Sequence, residues 1–290
     1  MKRQGNPALY MRKGGSDMKI FIDSAKLSEI EEAFSSGFLD GVTTNPSLLK
    51  GAVDELKARG EEIDLAQYIE RILTVAEGTP VSLEVTEYTY EKMVGQAKKI
   101  YERFNPIANN VYIKIPINPI FKGAEADEFD GLKAIKELSG ENIPVNCTLI
   151  FTPEQALLAA KAGAAFVSPF AGRIDDYIRS QNDIQFKKQD YFPAQGIWRD
   201  DQVLEDNGVV SGIDLVEQIA EIFLGYEVTA EVLAASLRNA RQVREAALAG
   251  ADIATLPLYV IKDLVSHYKT REGMEKFIGD VITEYVELTK

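Results

Sequence analysis

The feature that most constrains this fold is a regular alternation of short apolar segments with segments of helical periodicity. Eight segments have the length and composition of buried strands, and a helical pattern is plausible after each one. Eight strand-then-helix units in 290 residues are what a closed parallel barrel requires. The predicted strands are KIFIDSA (19–25), GVTTNP (41–46), PVSLEVT (80–86), VYIKIP (111–116), PVNCTLI (144–150), AAFVSPF (164–170), TAEVLAAS (229–236) and ADIATLP (251–257).

This alternation predicts an α/β fold, namely a single (β/α)8 TIM barrel over residues 18–290. The alternative is an open doubly wound sheet, which usually has fewer strands. No glycine-rich GxGxxG loop follows any predicted strand, and this favours the barrel. The amphipathic segment EGMEKFIGDVITEYVEL (272–288) predicts one extra C-terminal helix.

Two segments break the alternation. Residues 1–17 are basic and polar without the apolar stretch of a secretory signal, so we expect an appendage such as a tag, an upstream start or a disordered arm. Residues 181–211 form a long polar insertion between the sixth and seventh strands. Such a loop is a lid, a subunit contact or a surface excursion pinned by its aromatic residues. Those residues are Phe186, Tyr191, Phe192 and Trp198.

Composition argues against several classes of function. The one cysteine, Cys147, excludes an internal disulfide and a cysteine-rich metal site, and its apolar neighbours favour a small buried side chain. The one histidine, His267, lies in a helical pattern, where we expect it to be exposed. A net charge of −13 argues against nucleic-acid binding, and no apolar run approaches the ~18 residues of a membrane span. We therefore expect a cytoplasmic protein without a metal.

Lys114 stands in the middle of the predicted strand VYIKIP. A buried ammonium is costly unless it is paired or loses its proton. Either the strand ends there and the amine reaches water, or the amine is kept partly neutral so that it can attack a carbonyl. Strand alternation puts the branched residues Val111, Ile113 and Ile115 on the opposite face, which suits packing against helices. We therefore expect Lys114 to point into the mouth of the barrel.

Polar residues recur where the predicted strands end, which is where barrels carry their chemistry. Each has an ordinary explanation: Asp23 could cap a helix, Asn45 could begin one, and Glu84 could pair with a lysine. The arginines could form surface ion pairs. Their convergence on one mouth favours a functional site, because buried polar groups are costly as packing alone. The set is Asp23, Thr43, Thr44, Asn45, Glu84, Lys114, Asn146, Thr148, Ser168, Phe170, Arg173, Ser236 and Arg238.

These residue types suit amine catalysis without a metal or an organic cofactor. A desolvated lysine adds to a ketone and loses water to form a Schiff base, which withdraws electrons so that the adjacent carbon–carbon bond breaks. Asp23 can take the proton of the departing hydroxyl, and Glu84 can shuttle protons, either directly or through a water. Arg173, Ser236 and Arg238 follow the sixth and seventh strands, near where barrels commonly bind phosphate.

Eight motifs occur in order along the chain: FIDSA, GVTTNPSLL, SLEVT, YIKIP, NCTLIF, VSPFAGRIDD, ASLRNARQ and GADIATLPLYVI. Through them the segment from Met18 to about Leu264 resembles the transaldolase family of class I aldolases. The resemblance implies a (β/α)8 barrel that moves a dihydroxyacetone unit in the pentose phosphate pathway. The donor is a ketose phosphate (fructose 6-phosphate or sedoheptulose 7-phosphate), and the acceptor is an aldose phosphate (erythrose 4-phosphate or glyceraldehyde 3-phosphate).

The resemblance also implies a role for each residue of the strand-end set. Lys114 would be the Schiff-base lysine and Asp23 the acid–base of bond cleavage. Glu84 would orient a water that Thr148 helps to hold. The substrate-binding residues would be Thr44, Asn45, Asn146, Ser168 and Phe170, with Arg173, Ser236 and Arg238 at the phosphate.

Two alternatives stay open. Fructose-6-phosphate aldolases share the fold and the lysine but release free dihydroxyacetone; they tend to carry glutamine in place of Glu84 and tyrosine in place of Phe170, so both residues here favour a transaldolase. A non-catalytic sugar-phosphate-binding barrel is the alternative of another class.

In the ring-shaped decamers of the short members of the family, terminal helices pack on neighbouring subunits. We therefore expect a homo-oligomer, such as a pentamer or decamer, unless residues 272–288 pack on their own barrel.

Overall fold

The structure is a computed structural model that describes residues 17–288. The expected N-terminal appendage lies outside the described residues, apart from Asp17. No helix within residues 17–288 combines the length and the apolar character needed to cross a membrane.

Eight strands pair in parallel and close into a barrel, which confirms the predicted fold class. The barrel strands are β1 (Lys19–Asp23), β2 (Gly41–Thr43), β3 (Val81–Glu84), β4 (Val111–Pro116), β5 (Val145–Ile150), β6 (Phe166–Pro169), β9 (Glu231–Ala234) and β10 (Ile253–Leu256). They follow one another around the barrel in chain order, and β10 pairs with β1 to close it. Between β6 and β9 the insertion adds a small antiparallel hairpin of β7 (Trp198–Arg199) and β8 (Gln202–Val203).

Helices surround the barrel. They are α1 (Leu27–Phe34), α2 (Pro46–Ala58), α3 (Leu65–Val75), α4 (Tyr90–Ala108), α5 (Asp130–Gly140), α6 (Pro153–Ala162), α7 (Ala171–Gln181), α8 (Gly212–Gly225), α9 (Ala240–Leu248), α10 (Leu258–Leu264), α11 (Tyr268–Gly279) and α12 (Thr283–Glu287). Their ends follow local chemistry: α6, for example, begins with a capping box between Thr152 and Gln155 and ends at Gly163, whose φ is 108°.

Side-chain alternation along the strands creates an inner apolar layer, separate from the core between strands and helices. Inside the barrel the ring of Tyr112 stacks on that of Phe166, with centroids 4.7 Å apart. The ring of Phe21 lies over the neighbouring strand β2, so closely that a Cβ on Gly41 would lie 2.6 Å from it. Lys114 lies two residues beyond Tyr112 and on the same face of β4, so the predicted inward direction of this lysine is confirmed.

Strand β5 is irregular next to the predicted site. Cys147 is fully buried, as expected of a small apolar side chain, and burial raises the pKa of its thiol. The pairing of β5 with β6 shifts register between Cys147 and Ile150. Within this bulge Leu149 has a φ of 59°, which is rare for a non-glycine residue inside a strand. The irregularity therefore directly follows Thr148, one of the predicted site residues.

The insertion at residues 181–211 is held against the barrel by a buried arginine at its base. The guanidinium of Arg179 lies over the rings of Phe186 and Phe192, 5.0 and 4.9 Å from their centroids. The same side chain donates a 2.8 Å hydrogen bond to the carbonyl oxygen of Tyr191. Phe192 is buried, whereas Trp198 on the hairpin is 67% exposed. Aromatic residues do pin this segment, as one of the alternatives expected, but Trp198 does not take part.

The expected extra helical segment follows the barrel, but the prediction of a single continuous helix over residues 272–288 is wrong. Helix α11 ends at Gly279, a poor helix former, and the short α12 follows after a break. Neither helix has a buried residue, so packing on its own barrel is also wrong, and apolar side chains such as Phe277, Ile278 and Ile282 are exposed. His267 is exposed as expected, but it caps α11 instead of lying within it, and its Nδ1 accepts a 3.0 Å backbone hydrogen bond.

Candidate active site

The carboxyl ends of the barrel strands surround a cavity of about 290 Å³. A second, more open groove of about 360 Å³ between α1, α2 and α3 contains none of the predicted site residues. Nine of the thirteen predicted residues line the cavity: Asp23, Thr43, Asn45, Lys114, Ser168, Phe170, Arg173, Ser236 and Arg238. The other four do not line it: Thr44, Glu84, Asn146 and Thr148.

The amine of Lys114 is buried in the wall of this cavity. Its Nζ lies 3.1 Å from Oε2 of Glu84 and donates a 3.1 Å hydrogen bond to the carbonyl oxygen of Thr44. The parallel register of β3 and β4 sets Glu84 directly opposite Lys114. Only 4% of Lys114 is exposed, so the alternative in which the amine escapes to water is wrong. A buried lysine with one carboxylate partner is the arrangement in which a proton can pass between the two groups.

Asp23 ends β1 on the other side of the cavity. The Thr43 hydroxyl donates a 2.8 Å hydrogen bond to Oδ1 of Asp23, and Thr43 also shares a 2.6 Å hydrogen bond with the hydroxyl of Thr255. Burial raises the pKa of Asp23, and the charge of Lys114 and the Thr43 hydrogen bond oppose that rise without cancelling it. Asp23 does not cap a helix, because α1 begins after Lys26 and has no side-chain cap, so that alternative is wrong.

A buried chain of hydrogen bonds links β3, β5 and β6 and spans β4, the strand that carries Lys114. The Asn146 amide donates to the Ser82 hydroxyl at 3.1 Å, and the Ser168 hydroxyl donates to the Asn146 carbonyl oxygen at 2.6 Å. These bonds hold the amide of Asn146 in one orientation next to the Lys114 strand. Thr148 lies on the same face of β5, and its buried hydroxyl has no hydrogen-bond partner within the described chain.

Asn45 and Thr44 differ in what their side chains do. Asn45 accepts a 3.0 Å hydrogen bond from the backbone N–H of Leu48, which confirms it as the cap of α2, and it also lines the cavity. The Thr44 hydroxyl instead donates to the backbone carbonyl of Ser82 at 2.8 Å, away from the cavity. Strand alternation explains the difference, because Thr43 occupies the inward position and the next residue points outward. Thr44 reaches the site only through its carbonyl oxygen.

Arg238, which also lines the cavity, is held by an acidic partner. Its two terminal nitrogens each lie 2.5 Å from a carboxylate oxygen of Asp176, and Nη1 also donates a 3.0 Å hydrogen bond to the carbonyl oxygen of Lys188. Only 6% of Arg238 is exposed, so this is not the exposed surface ion pair of the alternative. Its Nε is buried without a hydrogen-bond partner among residues 17–288. Arg173 is exposed and lies over the Phe170 ring, 4.8 Å from the centroid.

Close backbone packing allows Arg238 to lie across the start of α7. A Cβ on Gly172 would stand 2.3 Å from the carbonyl oxygen of Ser236 and 2.8 Å from Nε of Arg238. Ser236 itself has a φ of 62°, in the left-handed region that few non-glycine residues adopt. Strained conformations of this kind concentrate at functional sites. The serine loop and the start of α7 thus form one tightly packed rim.

Several residues that line the cavity were not predicted from the sequence, among them Thr255, Lys188 and Tyr259. Thr255 lies two residues beyond the inward-facing Ile253, so strand parity could have found it. Lys188 comes from the insertion, where no periodic pattern indicates direction, and Tyr259 begins α10 and donates a 3.2 Å hydrogen bond to the carbonyl oxygen of Arg238.

Charge at the site contrasts with the charge of the whole chain. Four cationic side chains line the cavity, whereas Asp23 is the one carboxylate among the lining residues of the described chain. Such a local excess in a chain of net charge −13 attracts an anionic ligand. Residues 17–288 contain no group of three or more histidine, cysteine, aspartate or glutamate residues that could hold a metal ion. A buried amine next to a carboxylate, with a second acid nearby, is suited to carbonyl addition.

Known proteins with a similar sequence point to one family. Residues 20–288 match the family described as Transaldolase/Fructose-6-phosphate aldolase. A relative from Thermoplasma volcanium, named "Probable transaldolase", is 39% identical over 263 residues, which cover 91% of this chain and 95% of the relative. Relatives of the same name from Chlorobium phaeobacteroides and Chlorobaculum parvum are each 41% identical over 263 residues and 91% of this chain, covering 96% and 97% of the relatives.

Proposed function

Because the chain belongs to the transaldolase and fructose-6-phosphate aldolase family, we propose that it is a transaldolase that works through a Schiff base on Lys114. It transfers a dihydroxyacetone unit from fructose 6-phosphate or sedoheptulose 7-phosphate to erythrose 4-phosphate or glyceraldehyde 3-phosphate. The observation that carries the proposal is the buried amine of Lys114, 3.1 Å from Glu84 in the wall of a cavity that Asp23 also lines.

The first half of the reaction forms the Schiff base. A proton passes from the Lys114 ammonium to Glu84 along their direct contact, which frees the nitrogen lone pair to attack the ketose carbonyl. The resulting carbinolamine takes a proton at its hydroxyl and loses water to give the protonated imine. The unpartnered hydroxyl of Thr148 supports a nearby position for the water that takes part in this step and in its reversal.

The second half breaks and remakes a carbon–carbon bond. Asp23 accepts the proton of the sugar hydroxyl next to the bond, the bond breaks, and its electrons pass into the imine to give an enamine on Lys114. The raised pKa of Asp23, caused mainly by burial, makes it a stronger base than an ordinary carboxylate. When the acceptor aldehyde adds to the enamine, Asp23 returns the proton to the new hydroxyl, and hydrolysis then frees the lysine.

Substrate is held along the length of the cavity. Asn45 and Ser168 line it, and Asn146 is bonded to Ser168, so these polar groups suit the hydroxyls of the dihydroxyacetone unit. Arg173, Ser236 and Arg238 also line the cavity and suit the phosphate. Phe170 has Lys114 and Arg173 both close to its ring.

The protonated imine acts as the electron sink, so the proposed chemistry needs no metal and no organic cofactor. We place the reaction in the cytoplasm, as a step of the pentose phosphate pathway. The non-catalytic alternative does not account for Glu84 in contact with the buried amine of Lys114 or for Asp23 in the same cavity.

Trapping the Schiff base tests the proposal. Borohydride reduction in the presence of fructose 6-phosphate should attach the sugar unit to the peptide that contains Lys114, as measured by mass spectrometry. Lys114→Met should abolish the adduct, whereas Lys161→Met, which changes an exposed lysine on α6, should not. An unmodified Lys114 under these conditions would contradict the proposal.

Acceptor dependence separates a transaldolase from a fructose-6-phosphate aldolase, the other activity in the family name. The protein is incubated with fructose 6-phosphate, with or without erythrose 4-phosphate, and free dihydroxyacetone is measured. A transaldolase needs the acceptor for turnover, so dihydroxyacetone that accumulates without it would assign the aldolase instead. Glu84 and Phe170 support a transaldolase, because the aldolases tend to carry glutamine and tyrosine at these two positions.

We also propose that the chain forms a homo-oligomer through α11 and α12. The support is that neither helix buries a residue on its own barrel while Phe277, Ile278 and Ile282 are exposed. Light scattering should give a mass of several chains, and Phe277→Asp should lower it. A wild-type protein of single-chain mass, or a variant of unchanged mass, would refute this role of the two helices.

A further inference from the structure

We propose that Lys188, supplied by the insertion at residues 181–211, is a third cation of the phosphate subsite and sets the preference for phosphorylated over neutral sugars. The identity of the sugar rests on the proposed function, but binding of phosphate at Lys188 does not.

Lys188 lies at the cavity although it is far in sequence from the nearest barrel strands, which end at Pro169 and begin again at Glu231. It lines the cavity together with Lys114, Arg173 and Arg238. It is also close enough to Asp23 to act on it electrostatically: burial raises the pKa of Asp23, and Lys188 is one of the cations that oppose the rise. The side chain is exposed, so its ammonium is free to turn toward a ligand at the mouth.

The backbone that carries Lys188 is fixed from two sides. On one side its carbonyl oxygen accepts a 3.0 Å hydrogen bond from Nη1 of Arg238. On the other side, the flanking residues Phe186 and Phe192 pack on the buried guanidinium of Arg179. The insertion therefore holds this lysine at the rim of the cavity, next to the arginine that suits the phosphate.

Counting charges at the phosphate subsite favours a role for the third cation. The bidentate pair with Asp176 neutralises most of the charge of Arg238. Arg173 and Lys188 form no ion pair with a carboxylate of residues 17–288. A phosphate monoester carries about −1.5 to −2 charges at pH 7. The two unpaired cations, Arg173 and Lys188, match that charge.

The adjacent lysine provides a matched control. Lys187 is also exposed and carries the same charge, but it does not line the cavity. Its backbone N–H donates to the carboxylate of Asp190, a bond that a change of side chain preserves. Replacing either lysine changes the net charge equally, so a difference between the two variants isolates position from overall charge.

Calorimetric titration with inorganic phosphate tests the proposal without any need for turnover. Lys188→Met should weaken phosphate binding about tenfold, the usual loss for one charge-assisted contact, while Lys187→Met should bind nearly as the wild type. Lys188→Arg should keep most of the affinity, and the difference should shrink at high salt. Phosphate binding that is equal in Lys188→Met and Lys187→Met would overturn the proposal.

A kinetic comparison extends the test to sugars. The ratio of kcat/KM for fructose 6-phosphate to that for fructose should fall about tenfold in Lys188→Met relative to Lys187→Met. An unchanged ratio in folded protein, with circular dichroism and Tm as for the wild type, would count against the inference. If borohydride traps nothing on Lys114, the proposed function fails, and the phosphate titration still decides the role of Lys188.

Discussion

Asp175, a buried carboxyl on α7, should make the stability of the protein depend on pH. Its Oδ1 accepts a 2.7 Å hydrogen bond from the backbone N–H of Gly212, and its Oδ2 accepts a 2.9 Å hydrogen bond from Nε2 of Gln242. Only 2% of the residue is exposed. Burial raises the pKa of Asp175 from 3.8 to about 7, because it outweighs the Gly212 bond and the charges of Arg179 and Arg238.

The size and sign of the effect follow from that pKa. A carboxyl whose pKa is higher in the folded than in the unfolded state favours folding in its protonated form, and this contribution is lost as the pH rises through the folded pKa. A rise of about three units corresponds to about 4 kcal/mol over the whole range, at about 1.4 kcal/mol per unit. Between pH 5 and pH 7 the loss should be about 2 kcal/mol, since the folded group still holds most of its proton there.

Urea unfolding of the wild type and Asp175→Asn measures this loss. Both proteins are unfolded at pH 5, 6, 7 and 8 at one fixed concentration, because an oligomer's apparent stability depends on concentration. The free energy of unfolding of the wild type should fall by about 2 kcal/mol relative to the variant between pH 5 and pH 7. Asp183→Asn, at an exposed position, is the control and should follow the wild type. Parallel profiles for the wild type and Asp175→Asn would refute the reasoning.

Two further predictions concern the inside of the barrel. Gly41→Ala should lower the free energy of unfolding by about 1–3 kcal/mol, because its Cβ would stand 2.6 Å from the ring of Phe21. Gly51→Ala, on α2 with nothing within 4 Å of the added Cβ, should instead be neutral or stabilising by up to about 1 kcal/mol; equal thermal shifts would contradict both expectations. Thr43→Val should raise the pKa of Asp23 further, since it removes a hydrogen bond to the carboxylate, and should lower kcat on the acid side about tenfold. A pH–rate profile that matches the wild type would exclude this role for the hydroxyl.

The sequence could predict the barrel because strands and helices alternate along it, and it could predict the direction of Lys114 because side chains alternate along each strand. Period two along β4 sets the direction of Lys114, and strand ends in a parallel barrel meet at one rim. Glu84 ends β3 and lies in register with Lys114 on the adjacent strand β4, so their pairing follows from the fold with little further information. The capping side chain of Asn45 is also local, because it bonds to its own helix.

The remaining parts of the site depend on contacts between distant segments. No local pattern says that Asp176 holds Arg238, or that the insertion returns to bring Lys188 to the cavity. The choice between Thr43 and Thr44 depended on where β2 ends, which is the least certain feature of a strand read from sequence. The break after Gly279 was missed because the apolar spacing continues across it.

Helix α7 explains why so many of these distant contacts converge on one stretch of chain. Gly172, Asp175, Asp176 and Arg179 occupy positions i, i+3, i+4 and i+7, which places them along one side of the helix. The glycine lets Arg238 lie across the first turn, Asp176 neutralises it, and Asp175 holds the glutamine whose Oε1 accepts the backbone N–H of Arg238. Arg179, one turn further, anchors the insertion. The first two turns of α7 therefore position Arg238 as well as supplying Arg173 to the cavity. Substitutions of Asp175 or Asp176 should consequently alter phosphate affinity even though these side chains do not line the cavity.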